Sequence, residues 1–479
     1  MPAELSTILG PIVIAYTLVM LGIGVWTRGK VQDHEDFMVA GRRLPLHLAW
    51  ATIVATWFGA GAMLTATDTV RAQGLVGAAL DPIGAGLCLT LAGWLIARPL
   101  WEMRLLTLPD FYARRFGRRT EQLSAVLMIP TYFGWIAAQF VALAQLLELV
   151  FGIDPALGIV VVAAVGMTYT LLGGMWSVTM TDAAQIVVVA VGLLVLAVTV
   201  LARLGDGSAI EGLSQLTVQT PEARLVVVPT ETLVGFVTWT GVVMVGALGN
   251  LPGQDLTQRI FAARSAGTAV WACHIAAGVY FALGAITLVV GLSADLVAPG
   301  SAASSTMTLL AGMLLSPWVA ALFVLAVMSA VLSTIDSAIL SPASVLAQNL
   351  LAQRFPATDL LALTRRSIVG VTAVSIATAY LGESAYSLLE SAYELGLVSL
   401  LVPLLMGIRT TVGGERAALA SMIVGTSVWT LHFALGWHSF LAPFVEPTGL
   451  PLPMAASCAL VALGVYLVVA RGELRDGAG

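Results

Sequence analysis

The chain has 479 residues, of which 58% are hydrophobic and only 10% charged, with a formal net charge of -5. Soluble domains carry about 25% charged residues, so this composition excludes a water-soluble globular protein and describes a polytopic, all-α membrane protein. The charge is dispersed over loops, which leaves no basic face for a nucleic-acid partner.

Apolar stretches of about 20 residues are long enough to cross a bilayer as helices. Thirteen are predicted, near 7–26, 48–72, 78–101, 121–149, 156–173, 183–203, 231–249, 267–292, 317–345, 366–382, 388–408, 417–437 and 452–470. The first begins with Glu4 and ends in Trp26-Thr27-Arg28. It lacks a basic start and a small-residue cleavage site, so it reads as a retained helix rather than a signal peptide.

The second stretch is interrupted at Ala55-Thr56-Trp57-Phe58-Gly59-Ala60-Gly61-Ala62. Glycine in a helix interior costs roughly 1 kcal/mol against alanine, and hydrocarbon tolerates loosened backbone only beside protein or a water-filled cavity. Asp68 follows toward the outer end and is expected to line an entry. Asp81, next to Pro82, reads as the cap of the third span. The seventh stretch has the same glycine concentration, from Thr238-Trp239-Thr240-Gly241 to Leu251-Pro252-Gly253.

With the first helix set aside, ten spans divide into two groups of five, and five is odd, so the groups run in opposite directions. Residues 45–230 form the first repeat and 231–410 the second, preceded by an extra N-terminal helix in 1–44 and followed by two helices in 411–479. The whole is one transmembrane domain. The interrupted helices open both repeats, the arrangement by which secondary transporters build sites at the bilayer midplane. The competing reading is glycine for close helix packing.

The ninth span contains Ala330-Val331-Leu332-Ser333-Thr334-Ile335-Asp336-Ser337. Sodium is a hard cation that suits oxygen ligands. Ser333 and Thr334 place two hydroxyls about 100° apart on the helix, with the Ala330 carbonyl one turn earlier. Opposed to carbonyls freed by the break around Ala55 to Phe58, they complete an oxygen cage. The alternative is that both hydroxyls bond back to the preceding turn. Asp336, a carboxylate at membrane depth, favours function. On the eleventh span Glu390 and Glu394 stack at i, i+4; they suit a vestibule, a counter-charge for a cationic solute, or a proton relay.

The loops also predict orientation. One side collects 19 of the 22 Lys and Arg residues, Arg42 and Arg259 among them, leaving Arg71, Arg203 and Arg224 for the other. By the positive-inside rule the N-terminus is outside and the C-terminus cytoplasmic, in a plasma or inner membrane. Cys88, Cys273, Cys458 and the five His residues form no ligand-like pattern, so neither metal-dependent nor thiol catalysis is expected.

Three segments resemble the sodium/solute symporters, which share the inverted-repeat leucine-transporter core. They are Leu108-Pro109-Asp110-Phe111 with Arg114-Arg115-Phe116, Tyr169-Thr170-Leu171-Leu172-Gly173-Gly174-Met175-Trp176-Ser177-Val178 with Thr181-Asp182 and Gln185, and Ser333 to Leu340. The resemblance implies a sodium-coupled importer of a small organic solute working by alternating access, not an enzyme, with sodium as coupling ion and no cofactor. It implies sodium ligands from the backbone of Ala55, Phe58 and Ala330 and the side chains of Ser333 and Thr334. Asp182, with Ser337 and Asp336, matches a second sodium position or inner gate. A proton-coupled transporter or a solute sensor of the same fold are the alternatives.

Ala55-Thr56-Trp57, Asp81-Pro82-Ile83-Gly84, Gly134-Trp135, and Leu248 to Pro252 with Gln254 resemble the branch that contains high-affinity choline transporters. Trp57 and Trp135 match two tryptophans of that branch's aromatic cage, and Gly253 stands where the branch has a third. The implied substrate positions are Trp57, Gly59, Trp135, Gly253 and Gln254. For the two tryptophans the alternative is interfacial anchoring. The missing wall makes choline itself doubtful and leaves an amine, an amino-acid derivative or a carboxylate as the solute class.

Overall fold

The computed structural model describes residues 3–301, 305–381, 393–449 and 451–476. Helix α1 (Ala3–Arg28) leads through a short connection to α2 (Leu46–Trp57), which stops at Phe58, where the backbone turns to φ -87°, ψ 59°. The chain resumes at Gly61–Thr65 with a wide π turn and continues as α3 (Ala66–Gln73). This is the break expected from the glycine-rich run, and it falls at Phe58 and Gly59.

After α4 (Ala85–Leu95) and α5 (Leu108–Arg115), α6 (Arg118–Phe151) and α7 (Pro155–Leu204) are long helices. α7 has 50 residues and leaves helical geometry at Gly174, with φ 51° and ψ -136°. A straight helix of that length would extend about 75 Å, more than twice the hydrocarbon thickness. α8 (Leu233–Gly249) and α9 (Gln254–Ala262) form the second interrupted span, bent by 43° across Asn250 to Gly253. There follow α10 (Ala266–Val297), α11 (Thr306–Leu314), α12 (Pro317–Val345), α13 (Leu360–Tyr380), α14 (Leu401–Arg409), α15 (Glu415–Ala434) and α16 (Met454–Asp476).

Among the described residues nine helices are long and apolar enough to cross a membrane, or ten with the bent pair taken as one span. The sequence count of thirteen differs for physical reasons. α2 alone is too short, the Gly61–Leu95 run is continuous through its turns, and α7 joins two predicted stretches. The eleventh predicted span lies partly outside the described residues.

α12 is the most enclosed of these helices and packs against α7, α6, α2 and α1. Its serines at 329, 333, 337 and 341 recur every fourth residue and so share one face. Each meets a different element: Ser329 bonds Tyr16 on α1, Ser333 the Ala55 carbonyl, Ser337 accepts from Thr56, and Ser341 donates to Gln258 on α9. A polar stripe at the centre of the bundle brings both broken helices and α1 onto one helix.

Candidate functional site

Ser333 Oγ donates to the Ala55 carbonyl at 2.8 Å and lies 3.0 Å from the Ala330 carbonyl. Thr334 Oγ1 lies 2.9 Å from the Thr56 carbonyl and 3.1 Å from that of Ala330. Ala55, Ala330, Ser333 and Thr334 are therefore brought together, with Thr56 as a further oxygen that the sequence reading omitted. The hydroxyls do bond back to the preceding turn, yet each also reaches across to α2. Phe58 stands at the end of α2 with its N–H on the Val54 carbonyl at 2.8 Å and its ring edge-on to Tyr280.

Gly59, expected among the substrate positions, faces this oxygen cluster rather than the cavity at the second break. A Cβ there would collide with Thr334 Oγ1 and lie 2.9 Å from Gln139 Oε1. Gln139, buried on α6, accepts the Ala60 N–H at 3.0 Å and so satisfies an amide left open by the break. Nothing in the sequence marked Gln139, because its position on α6 gives no sign of which neighbour it meets.

One turn along α12, Asp336, Asp182 and Arg259 form a buried charged cluster. Asp182 Oδ2 accepts from Thr52 Oγ1 at 2.5 Å and lies 3.7 Å from the Arg259 guanidinium, whereas Asp182 Oδ1 has no hydrogen-bond partner among the described residues. Asp336 accepts the Ser337 N–H at 2.6 Å and faces Thr181 Oγ1 at 3.4 Å. Arg259 also donates to the Thr52 carbonyl at 3.2 Å, the Asp255 carbonyl at 2.8 Å, and Ser337 Oγ. The orientation tally placed Arg259 and Arg42 in aqueous loops. Instead Arg259 is 2% exposed and Arg42 9%, the latter bonded to Glu35 and the Leu105 carbonyl.

A cavity lies beside the second break. It is a small cavity of about 30 Å³ between Tyr132 and Trp135 of α6, Asn250, Pro252, Gly253 and Asp255 at the break, and Tyr393. At its wall stands Asp255, 5% exposed, which the sequence reading did not single out. Its Oδ2 accepts the Trp57 indole N–H at 2.7 Å, and its Oδ1 the Tyr132 hydroxyl at 2.7 Å. Arg259 touches only the Asp255 backbone carbonyl, so among the described residues no cation faces this carboxylate. The signal available in the sequence was an acid just past the second break, in the first turn of α9 directly after Gly253 and Gln254.

Trp135 lines the cavity, its ring 5.9 Å from that of Tyr132, and Trp57 reaches the site through its indole N–H. Gly253 also lines it, and a Cβ there would come within 2.8 Å of Asp255 Oδ1. Gln254 turns away, its Oε1 accepting the Leu108 N–H at 2.7 Å.

The remaining acids stand apart. Asp68 accepts the Thr306 N–H at 2.7 Å and anchors the start of α11. Asp81 caps no helix; its carboxylate accepts the Tyr280 hydroxyl at 2.5 Å. Glu394 accepts the Trp429 indole N–H at 2.8 Å from α15. Glu390 lies outside the described residues.

Residues 37–425 match the model of the sodium:solute symporter family. The chain is 28% identical to the human high affinity choline transporter 1 over 366 residues, 71% of this chain and 61% of that protein, so the match spans about three fifths of the relative's length. To the high-affinity choline transporter 1 of Torpedo marmorata it is 26% identical, over 86% of this chain and 74% of the relative. Among solved structures, a sodium-coupled sialic acid symporter in an outward-open state superposes with a TM-score of 0.79 over 96% of both chains at 16% identity. A nucleobase-cation-symport-1 family transporter in a closed conformation superposes with 0.61 over 92% of this chain and 95% of its own, at 15% identity. These likenesses establish the leucine-transporter type of fold. With the family model covering most of its length, the chain belongs to the sodium:solute symporter family, a multi-pass membrane transporter rather than an enzyme.

Proposed function

We propose that this protein is a sodium-coupled symporter that imports a small cationic amine. The observation that carries the reading is Asp255: a buried carboxylate without a cationic partner among the described residues, held by Trp57 and Tyr132 in a cavity walled by Trp135 and Tyr393. An ammonium at about 4 Å gains roughly 4 kcal/mol from such a charge at an effective dielectric of 20, and a carboxylate solute would lose as much. Aromatic faces add about 0.5–2 kcal/mol by cation–π attraction.

Gly253 sharpens the choice of amine. Gly253 stands where the choline-transporter branch has a cage tryptophan, and because even a Cβ there would come within 2.8 Å of Asp255 Oδ1, the carboxylate takes the place of the ring. Attraction therefore passes from a ring face to a hydrogen-bonding charge, which favours a protonated amine bearing N–H groups over a quaternary ammonium.

Coupling follows from the first break. Sodium among the oxygens of Ala55, Phe58, Ala330, Ser333 and Thr334 would tie α2 to α12, and hydration of Ser333 and Thr334 from the cytoplasm would release it. The unpartnered Oδ1 of Asp182, near Asp336 and Ser337, suits a second cation. The orientation with the C-terminus inside survives removal of the buried Arg42 and Arg259, because 19 less 2 leaves 17 basic residues against 3.

The test is uptake into proteoliposomes under a sodium gradient, across primary to quaternary amines, amino acids and carboxylates. Sodium-driven accumulation of primary or secondary amines is expected. Accumulation of a carboxylate, or uptake driven by protons without sodium, would overturn the reading.

A further inference from the structure

A second cavity opens against the other half of the first broken helix, lined by Gly61, Thr65, Thr69, Gly77 and Asp81 among others. Asp81 is 7% exposed. Its Oδ1 accepts from Tyr280, but its Oδ2 accepts no hydrogen bond, and no basic side chain pairs with it among the described residues. A carboxylate left uncompensated within a membrane-spanning bundle is functional by default.

The rest of the wall supplies oxygen. Thr69 Oγ1 donates to the Thr65 carbonyl at 2.9 Å, which leaves its lone pairs unused, and the Thr65 hydroxyl makes no hydrogen bond among the described residues. Thr65 ends the π turn of Gly61–Thr65, a geometry frequent at functional sites, and Thr69 lies one turn later on α3. Among the described residues no aromatic ring lines this cavity, in contrast to the one at Asp255, so they offer an organic ammonium no π face. Carboxylate and hydroxyl oxygens suit a hard metal ion.

We propose that the Asp81 cavity binds sodium, as a position separate from the one at Ser333 and Thr334. Tyr280 connects the two. Its hydroxyl holds Asp81, and its ring meets Phe58 edge-on at 5.5 Å, at the point where α2 breaks. An ion captured at Asp81 fixes Tyr280 and, through it, Phe58 before the inner cage fills. The choice of sodium rests on the coupling reading above, whereas the site itself does not.

The experiment is equilibrium binding of radioactive sodium to the purified full chain, with potassium as competitor, for wild type, Asp81→Asn, Thr69→Val and Ser333→Ala. Asp81→Asn should bind one sodium fewer than wild type. Thr69→Val should raise the half-saturating concentration of one component roughly tenfold, as loss of one ligand to a charge implies. Ser333→Ala should raise the half-saturating concentration of a different component about 5- to 10-fold, so that Asp81→Asn and Ser333→Ala act on separate ions. If Asp81→Asn and Thr69→Val titrate as wild type while Ser333→Ala weakens one component, the Asp81 site is refuted and the coupling reading stands. Loss at Asp81→Asn with Ser333→Ala unchanged supports the Asp81 site and sinks the inner cage instead. Equal competition by potassium for the Asp81 component would refute sodium as its ligand. Should Asp81→Asn fail to fold, Thr69→Val decides between these outcomes.

Discussion

Asp255→Asn isolates charge from shape in the solute cavity. Asparagine keeps the volume and an acceptor for one of the two donors, Trp57 Nε1 and Tyr132 OH, and the phenol can turn to accept from the new amide. The fold should therefore tolerate it. What disappears is the attraction on a bound ammonium, roughly 4 kcal/mol at 4 Å and an effective dielectric of 20. Water entering beside the solute can halve that, giving an expected loss of about 2–4 kcal/mol, or roughly 30- to 700-fold in apparent affinity. The assay is amine-dependent thermal stabilisation of detergent-solubilised protein, followed by sodium-driven uptake at several amine concentrations. A variant that melts like wild type without amine and binds a primary amine with wild-type affinity would refute the assignment of Asp255 as counter-ion.

Ser333→Ala removes one hydroxyl from the oxygen cluster and should raise the sodium concentration for half-maximal uptake about 5- to 10-fold, worth about 1–1.5 kcal/mol; unchanged sodium dependence would count against the cage. Gly59→Ala drives a methyl into Thr334 Oγ1 and Gln139 Oε1, so a destabilisation of about 1–3 kcal/mol is expected. The sodium-dependent part of its melting shift should disappear, and retention of the full shift would show that Gly59 lies clear of the ion. Arg259→Met leaves Asp182 and Asp336 buried without a cation and should destabilise the protein by about 3–5 kcal/mol. Adding Asp182→Asn should recover part of that loss, and thermal unfolding of the single and double variants checks it.

The membrane class, both broken helices and the Ser333-Thr334 pair are legible in the amino-acid order alone. Hydrocarbon makes these features visible because it demands long apolar runs and penalises weak backbone at depth. Spacing along one helix also placed Ser333 and Thr334 beside the Ala330 carbonyl without further information. Only the tertiary structure decided which polar groups meet across helices. It put Asp255 between Trp57 and Tyr132, Gln139 on Ala60, and Arg259 beside Asp182, three pairings separated by 198 or 123, 79 and 77 residues. Packing also turned Gln254 away from the cavity at the second break and buried Arg42 and Arg259, which a charge count assigns to aqueous loops. The physical reason is common to all. A buried polar group is satisfied by whichever partner the packing delivers, and in a bundle that partner comes from another helix, while local pattern records only that a group needs one.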